Sequence, residues 1–260
     1  MRTDDDHDSE FILTPGIFLK EFLAPLGVQP DRLSLPQKAA LAFHPEGLEQ
    51  LVNLSNAKPI GDWAFPIIES SLCKGIYHGQ EVLVSKIPPS APNAVAFVEC
   101  LICLGMTQVI VAGCAGSIHP EAKAGSIVIP TWAVRGEGTS SYYSKKATNL
   151  HASNRLVQQM QKVAERNSLS YLSGPTWTAD GLFRESKREM ERYKAQGILT
   201  VEMEMSALFA LANFRKIELA GLLVISDTYF DGHKIMIFND VYLKGHHDMA
   251  KVILEVLCEN

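Results

Sequence analysis

Two short apolar runs separated by a single helical span, between Gly197 and Asp227, constrain the fold more than any other stretch. Gly197-Ile-Leu-Thr-Val201 is short, apolar and opened by glycine, as a core strand should be. Glu202, Met203 and Glu204 follow at once. Ala207, Leu208, Leu211 and Phe214 then recur at helical spacing, with alanines between them that allow close packing. Leu219 to Ile225 is a second apolar run, and it ends in Ser226-Asp227. Strand, helix, strand predicts a βαβ unit with parallel strands and a right-handed crossover. On that expectation Glu202, Glu204 and Asp227 sit past the carboxyl ends of strands, at the edge where open α/β sheets hold ligands.

The rest of the chain supplies similar pieces. Strands are expected at Ala39–Phe43, Glu81–Ile87, Gln108–Ala112, Gly125–Pro130 and Tyr171–Ala179. Helices are expected from Pro45 to Leu51, over Asn93–Leu104, Leu156–Asn167 and Arg184–Lys194, and from Asp240 to near Leu257. Gly113 to Ile118 reads as a tight small-residue turn, and Arg135 to Tyr143 is too rich in glycine and serine for regular structure. No repeat or low-complexity linker interrupts the pattern. The expected fold class is therefore α/β: one domain over residues 13–260, with a central mixed, partly parallel sheet flanked by helices. Residues 1–12 are expected to form a disordered acidic tail.

A net charge of −5 with no basic run argues against nucleic acid or an anionic membrane as partner. No apolar run approaches the ~18 residues of a membrane span. The acidic start, MRTDDDHDSE, has no cationic region leading into an apolar one, so no secretory signal is expected. Five cysteines cannot all pair within one chain, which fits free thiols in a cytoplasmic protein.

Few residues can carry chemistry. Small side chains at Gly113, Cys114, Ala115 and Gly116 let a ligand approach the backbone, and such a turn can aim N–H groups at an anion. Read alone, the same residues also make an ordinary tight turn. Asp227, at the rim of a buried strand, is the best acid/base candidate, although a turn aspartate is the plain alternative. Glu202 and Glu204 around Met203 suit a carboxylate accepting from vicinal hydroxyls, with the thioether against a sugar face. Acids are also favoured in a first helical turn by the helix dipole. Cys100 and Cys103 lie in an apolar helix without a second ligand pair, so buried thiols are expected and no metal. His246-His247-Asp248 is read as a solvated helix face.

Gly113-Cys-Ala-Gly116, Thr178-Ala-Asp180-Gly-Leu-Phe183, Glu202-Met-Glu204 and Ser226-Asp227, in that order, resemble the nucleoside phosphorylase-I family. That family includes purine nucleoside phosphorylases, uridine phosphorylases and methylthioadenosine/adenosylhomocysteine nucleosidases. Val134-Arg-Gly-Glu-Gly-Thr-Ser is similar to a segment that these enzymes carry between the motifs, and the resemblance spans roughly Phe43 to Leu257. It implies cleavage of an N-glycosidic bond, with the sugar passed to phosphate or water. By position, Met203 and Glu204 would hold the ribose, Glu204 through its two ring hydroxyls, with Glu202 beside them. Gly113 to Gly116 would meet the phosphate and ribose side. Thr178, Asp180, Phe183 and Arg188 would line the base pocket, and Asp227 would protonate a purine at N7.

The resemblance further implies inorganic phosphate as co-substrate, no resident cofactor, and a homo-oligomer, either a dimer or a trimer of dimers. Two places depart from the family. Val111 stands where phosphorylases carry an arginine, and the early Gly-Asp-Pro-x-x-Arg segment is missing. Arg135 and Lys86 are the candidate replacement cations. Phosphorolysis, hydrolysis and a catalytically idle nucleoside-binding protein therefore stay open, with purine favoured over uridine by Asp227.

Overall fold

The computed structural model describes residues 11–259 apart from 62, 66, 68–70, 230–233 and 236–238. Residues 1–10, most of the expected acidic tail, lie outside the described residues. Among the described residues eleven strands join one sheet: β1 Lys38–Ala42, β2 Lys58–Pro59, β3 Cys73–Tyr77, β4 Gln80–Lys86, β5 Gln108–Ser117, β6 Ile127–Gly136, β7 Asn149–His151, β8 Tyr171–Ala179, β9 Thr200–Glu202, β10 Glu218–Thr228 and β11 Lys234–Ile235. The helices are α1 Pro15–Leu23, α2 Pro45–Ser55, α3 Ala91–Cys103, α4 Asn154–Arg166, α5 Lys187–Ala195, α6 Met205–Arg215 and α7 Asp240–Cys258.

β5 is the axis of the sheet. Its first half pairs in parallel with β1, from Lys38↔Gln108 to Ala42↔Ala112. Its other edge pairs in parallel with β10 along its whole length. Its last two residues meet β9 in antiparallel register, Gly116 opposite Val201. β9 pairs with β8, β8 with β6, and β6 returns to β10 at Leu223↔Val128. These pairings close a five-stranded ring, β5–β10–β6–β8–β9, from which β1, β4, β3 and β2 continue as an open sheet. The mixed α/β single domain expected from sequence is the fold observed.

β5 and β10 are apolar along their length because both of their faces are covered. Alternate residues of β5 divide between two cores, as the strand period requires. Val109 and Val111 join Phe97, Leu101 and Phe209 under α3 and α6. Ile110 and Ala112 join Leu51, Met160 and Met249 under α2, α4 and α7. α6 is buried over most of its surface, so its alanines serve close packing and no polar face develops. α5 is the exposed exception, begun by a capping box in which Ser186 and Glu189 satisfy each other's backbone N–H. Among the described residues no helix is long and apolar enough to cross a membrane.

Three expectations are corrected. β9 runs antiparallel to β5, which is parallel to β10, so β9–α6–β10 is not a parallel right-handed βαβ unit. Strand direction depends on distant partners that a local apolar pattern does not encode. Gly113 to Ser117 is no turn but the second half of β5. Its small residues answer crowding from both sides: a Cβ on Gly113 would lie 3.1 Å from Leu223 and 3.4 Å from Phe43. Arg135-Gly136 likewise ends β6, and the chain leaves the sheet only from Glu137, with one 3-10 turn at Thr139–Tyr142.

Candidate functional site

The site is built where β5, β9 and β10 finish together. Val201 and Asp227 lie on opposite sides of Gly116 in the sheet. Because β9 is antiparallel, its carboxyl end would ordinarily fall at the far edge from that of β10. It is short and pairs only the last two residues of β5, so both ends meet at Gly116 all the same. β10 carries a bulge between Ile225 and Asp227. The extra residue, Ser226, shifts the register by one and re-aims the carboxylate. Asp227 is half-buried, with Oδ1 2.7 Å from the Ser226 hydroxyl.

Gly116 is required here by contact. A Cβ at this position would lie 2.4 Å from the Tyr229 ring, 3.2 Å from Asp227 Oδ2 and 3.2 Å from Val201 Cγ1. Gly116→Ala is therefore expected to push Tyr229 and the Asp227 carboxylate aside. The expected result is a destabilisation of about 1–3 kcal/mol by overpacking, together with a loss of turnover larger than the loss of folded protein. Thermal melting and activity measured on the same preparation check this.

The carboxylates after Val201 are buried and differ in role. Glu202 Oε1 accepts from Thr178 Oγ1 at 2.5 Å, and Oε2 accepts the backbone N–H groups of Glu204 and Met205 at 2.7 Å each. Glu202 thus satisfies the open amides at the start of α6. Burial nevertheless pushes its carboxyl up to about 7. Glu204 is pushed up to about 8, first by burial and then by the negative charge of Glu202, with Asp180 adding to it. One of its oxygens accepts from the Ser90 backbone N–H at 2.7 Å. Ser90 holds a left-handed φ of 80° just before α3, a conformation that costs a non-glycine residue roughly 1–3 kcal/mol. Met203 lies half-buried between the two glutamates.

A third buried acid, Glu137, accepts from the Ser206 hydroxyl at 2.8 Å and from Ser140 N–H at 2.9 Å. It joins the loop after β6 to the first turn of α6. Sequence reasoning passed over it, because its glycine-rich setting gave no sign of burial.

The remaining candidates are spread more widely. Thr178 is fully buried, and its hydroxyl also accepts Ser206 N–H at 2.9 Å. Asp180 is exposed and accepts from Gly138 N–H at 3.1 Å. Phe183 projects into solvent with 92% exposure, and Arg188 is exposed on α5. Arg135 donates to the Ser144 and Ser140 carbonyls, so its guanidinium secures the 140–144 loop. Lys86, the last residue of β4, is exposed and lies beyond Ala42, two strands from Ala112.

Cys114 faces the opposite side of β5 from Gly113. Its sulfur is 3.1 Å from the Tyr242 hydroxyl and 3.5 Å from His246 Nε2. Burial pushes the thiol up to about 12 and His246 down to about 4, so both are neutral near pH 7. Burial also lowers His44, which follows β1 at the same edge. The expectation that His246 belongs to a solvated face is corrected, because it is 1% exposed against the Tyr242 ring. Helix phase alone could not show this, since the covering strand lies more than a hundred residues earlier. Among the described residues, no cluster of three or more potential ligands could hold a metal ion.

A cavity of about 590 Å³ lies elsewhere, among α1, α3 and the 139–143 loop, lined by Phe18, Val95, Tyr143 and Phe214. Neither Glu204 nor Asp227 lines it.

The chain is similar in sequence to a guanosine phosphorylase of Halorubrum lacusprofundi, 22% identical over 166 residues, covering 64% of this chain and 69% of that protein. It is 27% identical over 187 residues to a DeoD-type 2 purine nucleoside phosphorylase of Vibrio vulnificus, covering 70% and 77%. Its fold is similar to the crystal structure of uridine phosphorylase from Vibrio fischeri, with TM-score 0.76, 24% identity, and 87% and 94% of the two chains covered. It is similar also to purine nucleoside phosphorylase from Toxoplasma gondii solved with immucillin-H, with TM-score 0.78, 19% identity, and 88% and 92% covered. The phosphorylase superfamily matches residues 41–257, which is most of the chain, and this protein belongs to that family.

Proposed function

We propose that this protein cleaves the N-glycosidic bond of a nucleoside, purine before uridine, and passes the ribose to inorganic phosphate. The observation that carries this reading is the meeting of three strand ends at Gly116, with Asp227 on one side and the Val201–Glu204 segment on the other. In such a cleavage the sugar gains oxocarbenium character while negative charge builds on the leaving base. A site complementary to that state fixes the sugar and neutralises the base. Glu204 has a free lone-pair direction besides its bond to Ser90, and as a carboxylate it would accept from the two ribose hydroxyls. Met203 would lie against the sugar. Glu202 is committed to Thr178 and the start of α6, and would act by holding that turn in place. Asp227 would give a proton to N7 of the base as the bond breaks. Thr178, Asp180, Phe183 and Arg188 belong to the proposed base side, and Gly113, Cys114, Ala115 and Gly116 to the acceptor side. The reading is of a pentosyltransferase without a resident cofactor, working in the cytoplasm as a homo-oligomer.

One observation favours a second reading, hydrolysis. Among the described residues, the side chains against Gly113 and Cys114 are Leu223, Phe43, Tyr242 and the neutral His246, and the Arg135 guanidinium is bound to loop carbonyls. A phosphate dianion prefers cations there. Incubation with inosine, adenosine, guanosine and uridine, with and without phosphate, separates the two. Phosphate-dependent release of base with ribose 1-phosphate is expected for the first reading. Release of base and free ribose without phosphate supports the second. No release from any of the four nucleosides contradicts both.

A further inference from the structure

Ser90, at the N-cap position of α3, is a strained residue in direct contact with the proposed site. Helices α1, α4, α5 and α7 begin at Thr14, Ser153, Ser186 and Asn239, whose φ angles are all negative and whose side chains accept an N–H of the first turn. Ser90 does neither: its φ is 80° and its hydroxyl makes no cap bond. The start of α3 does not ask for this, since Ala94 N–H donates to the Ser90 carbonyl at 2.9 Å as in any first turn. What the left-handed φ changes is the peptide before Ser90, which swings about half a turn from its place at an ordinary N-cap such as Ser186. That swing aims the Ser90 N–H at Glu204 Oε1, 2.7 Å away. Glu204 is itself the N-cap position of α6, and its side chain makes no cap bond there. Farther along, Glu99 of α3 pairs with Arg215 of α6 at 2.9 Å, so the two helices lie side by side with both N-termini at the Glu204 carboxylate. The strain at Ser90 is held by this tie between helices, as strain stored at a functional site must be held by its surroundings.

We propose that Ser90 is the positioning residue of Glu204, and that its strained N–H sets how strongly the site prefers a ribose to a 2′-deoxyribose. The proposal rests on the reading of Glu204 as the group that holds the ribose hydroxyls. A glutamate side chain turns about several torsions, and a carboxyl group free to turn would meet a vicinal diol in only a fraction of its conformers. Fixing Oε1 on a backbone donor removes that freedom before the sugar arrives, so less ordering is left to be done on binding. The donor belongs to the main chain, between Pro88-Pro89 on one side and α3 on the other, so it cannot drift as a side chain would. The 2′-hydroxyl reports on this arrangement, because a 2′-deoxynucleoside lacks one of the two groups that Glu204 would engage. Ser90 acts through Glu204 and has no step of its own in the cleavage.

The test is the dissociation constants of inosine, adenosine, guanosine and uridine, each beside its 2′-deoxy counterpart, in an Asp227→Asn parent chosen to slow cleavage. Ser90→Gly keeps the N–H and accepts the left-handed φ without strain. Ser90→Val keeps the N–H, but its β-branched side chain rejects that φ. Replacing Ser90 by its α-hydroxy acid analogue puts an ester oxygen where the N–H was and removes only the donor, so it answers even if the valine variant folds poorly. Glu204→Gln marks the loss of the carboxylate itself. The ratio of the deoxy to the ribo constant is expected to fall at least about tenfold in the ester and valine variants, as in Glu204→Gln, and to stay near that of the parent in Ser90→Gly. A residue of merely structural weight would weaken both members of each pair alike and leave the ratio where it was. With the ratio lost in Glu204→Gln, a parent-like ratio in the ester or valine variant, or an equal loss in Ser90→Gly, overturns the role of Ser90 and leaves the reading of Glu204 standing. A ratio that Glu204→Gln leaves unchanged, or no binding of any of these nucleosides, overturns that reading and this proposal with it.

Discussion

Asp227→Asn lowers kcat for nucleoside cleavage by about 10²–10⁴-fold, the usual contribution of a positioned general acid. The amide has nearly the same shape and keeps an oxygen for the Ser226 hydroxyl, which lies 2.7 Å from Oδ1 in the native protein. Nothing in the packing around Gly116 need change, so thermal stability and nucleoside affinity should stay close to those of the wild type. The loss should therefore appear in kcat, the signature of an interaction made in the transition state. Steady-state kinetics with a purine nucleoside, beside equilibrium binding of the same compound, checks the split. An equal loss of affinity would mean that Asp227 holds the ground state instead.

Glu204→Gln has two large effects of opposite sign. At pH above 8, where it is ionised, Glu204 accepts charge-assisted hydrogen bonds, each worth about 1.5–3 kcal/mol. An amide with one acceptor oxygen cannot replace two of them, so nucleoside affinity should fall by at least about tenfold. Stability should move the other way. Burial and Glu202 raise the Glu204 carboxyl from its ordinary 4.5 to about 8. Between those values the native state keeps a proton that the unfolded chain has lost, so native stability falls as pH rises through that window. The stability is complete below the unfolded value and is lost progressively towards pH 8. The glutamine cannot ionise, and it should raise stability near pH 8 by on the order of 2 kcal/mol. Chemical denaturation of both proteins at pH 5 and pH 8 should show the gain at the higher pH and little at the lower. Glu202, raised to about 7 by burial, leaves some pH dependence in the variant.

What could be seen in advance follows the range of the interactions. β8 spans Tyr171–Ala179 as its apolar run predicts, and α3 runs Ala91–Cys103 against the expected Asn93–Leu104, with two prolines before the N-cap position Ser90. These elements are set by neighbours a few residues away. The direction of β9 is set by pairing with β5, more than eighty positions earlier, and no pattern within Thr200–Glu202 carries that information. The same holds for Gly113 to Gly116. Small residues in a row read as a turn, whereas here they admit Phe43, Leu223, Val201 and Tyr229 from distant parts of the chain. Val201 and Asp227 still meet at Gly116 with β9 reversed only because β9 is short and pairs just the last two residues of β5. Glu137 and the Cys114–His246 contact were not legible, since each exists only through tertiary approach.

The central claim is that the Gly116 edge, the Glu202-Met203-Glu204 turn and Asp227 share one nucleoside. Crystals of Asp227→Asn soaked with a purine nucleoside test it most directly. The account predicts a ribose whose two ring hydroxyls lie within hydrogen-bond distance of the Glu204 carboxylate, with N7 of the base facing residue 227. A nucleoside seated away from those residues, as in the cavity between α1 and α3, would contradict it.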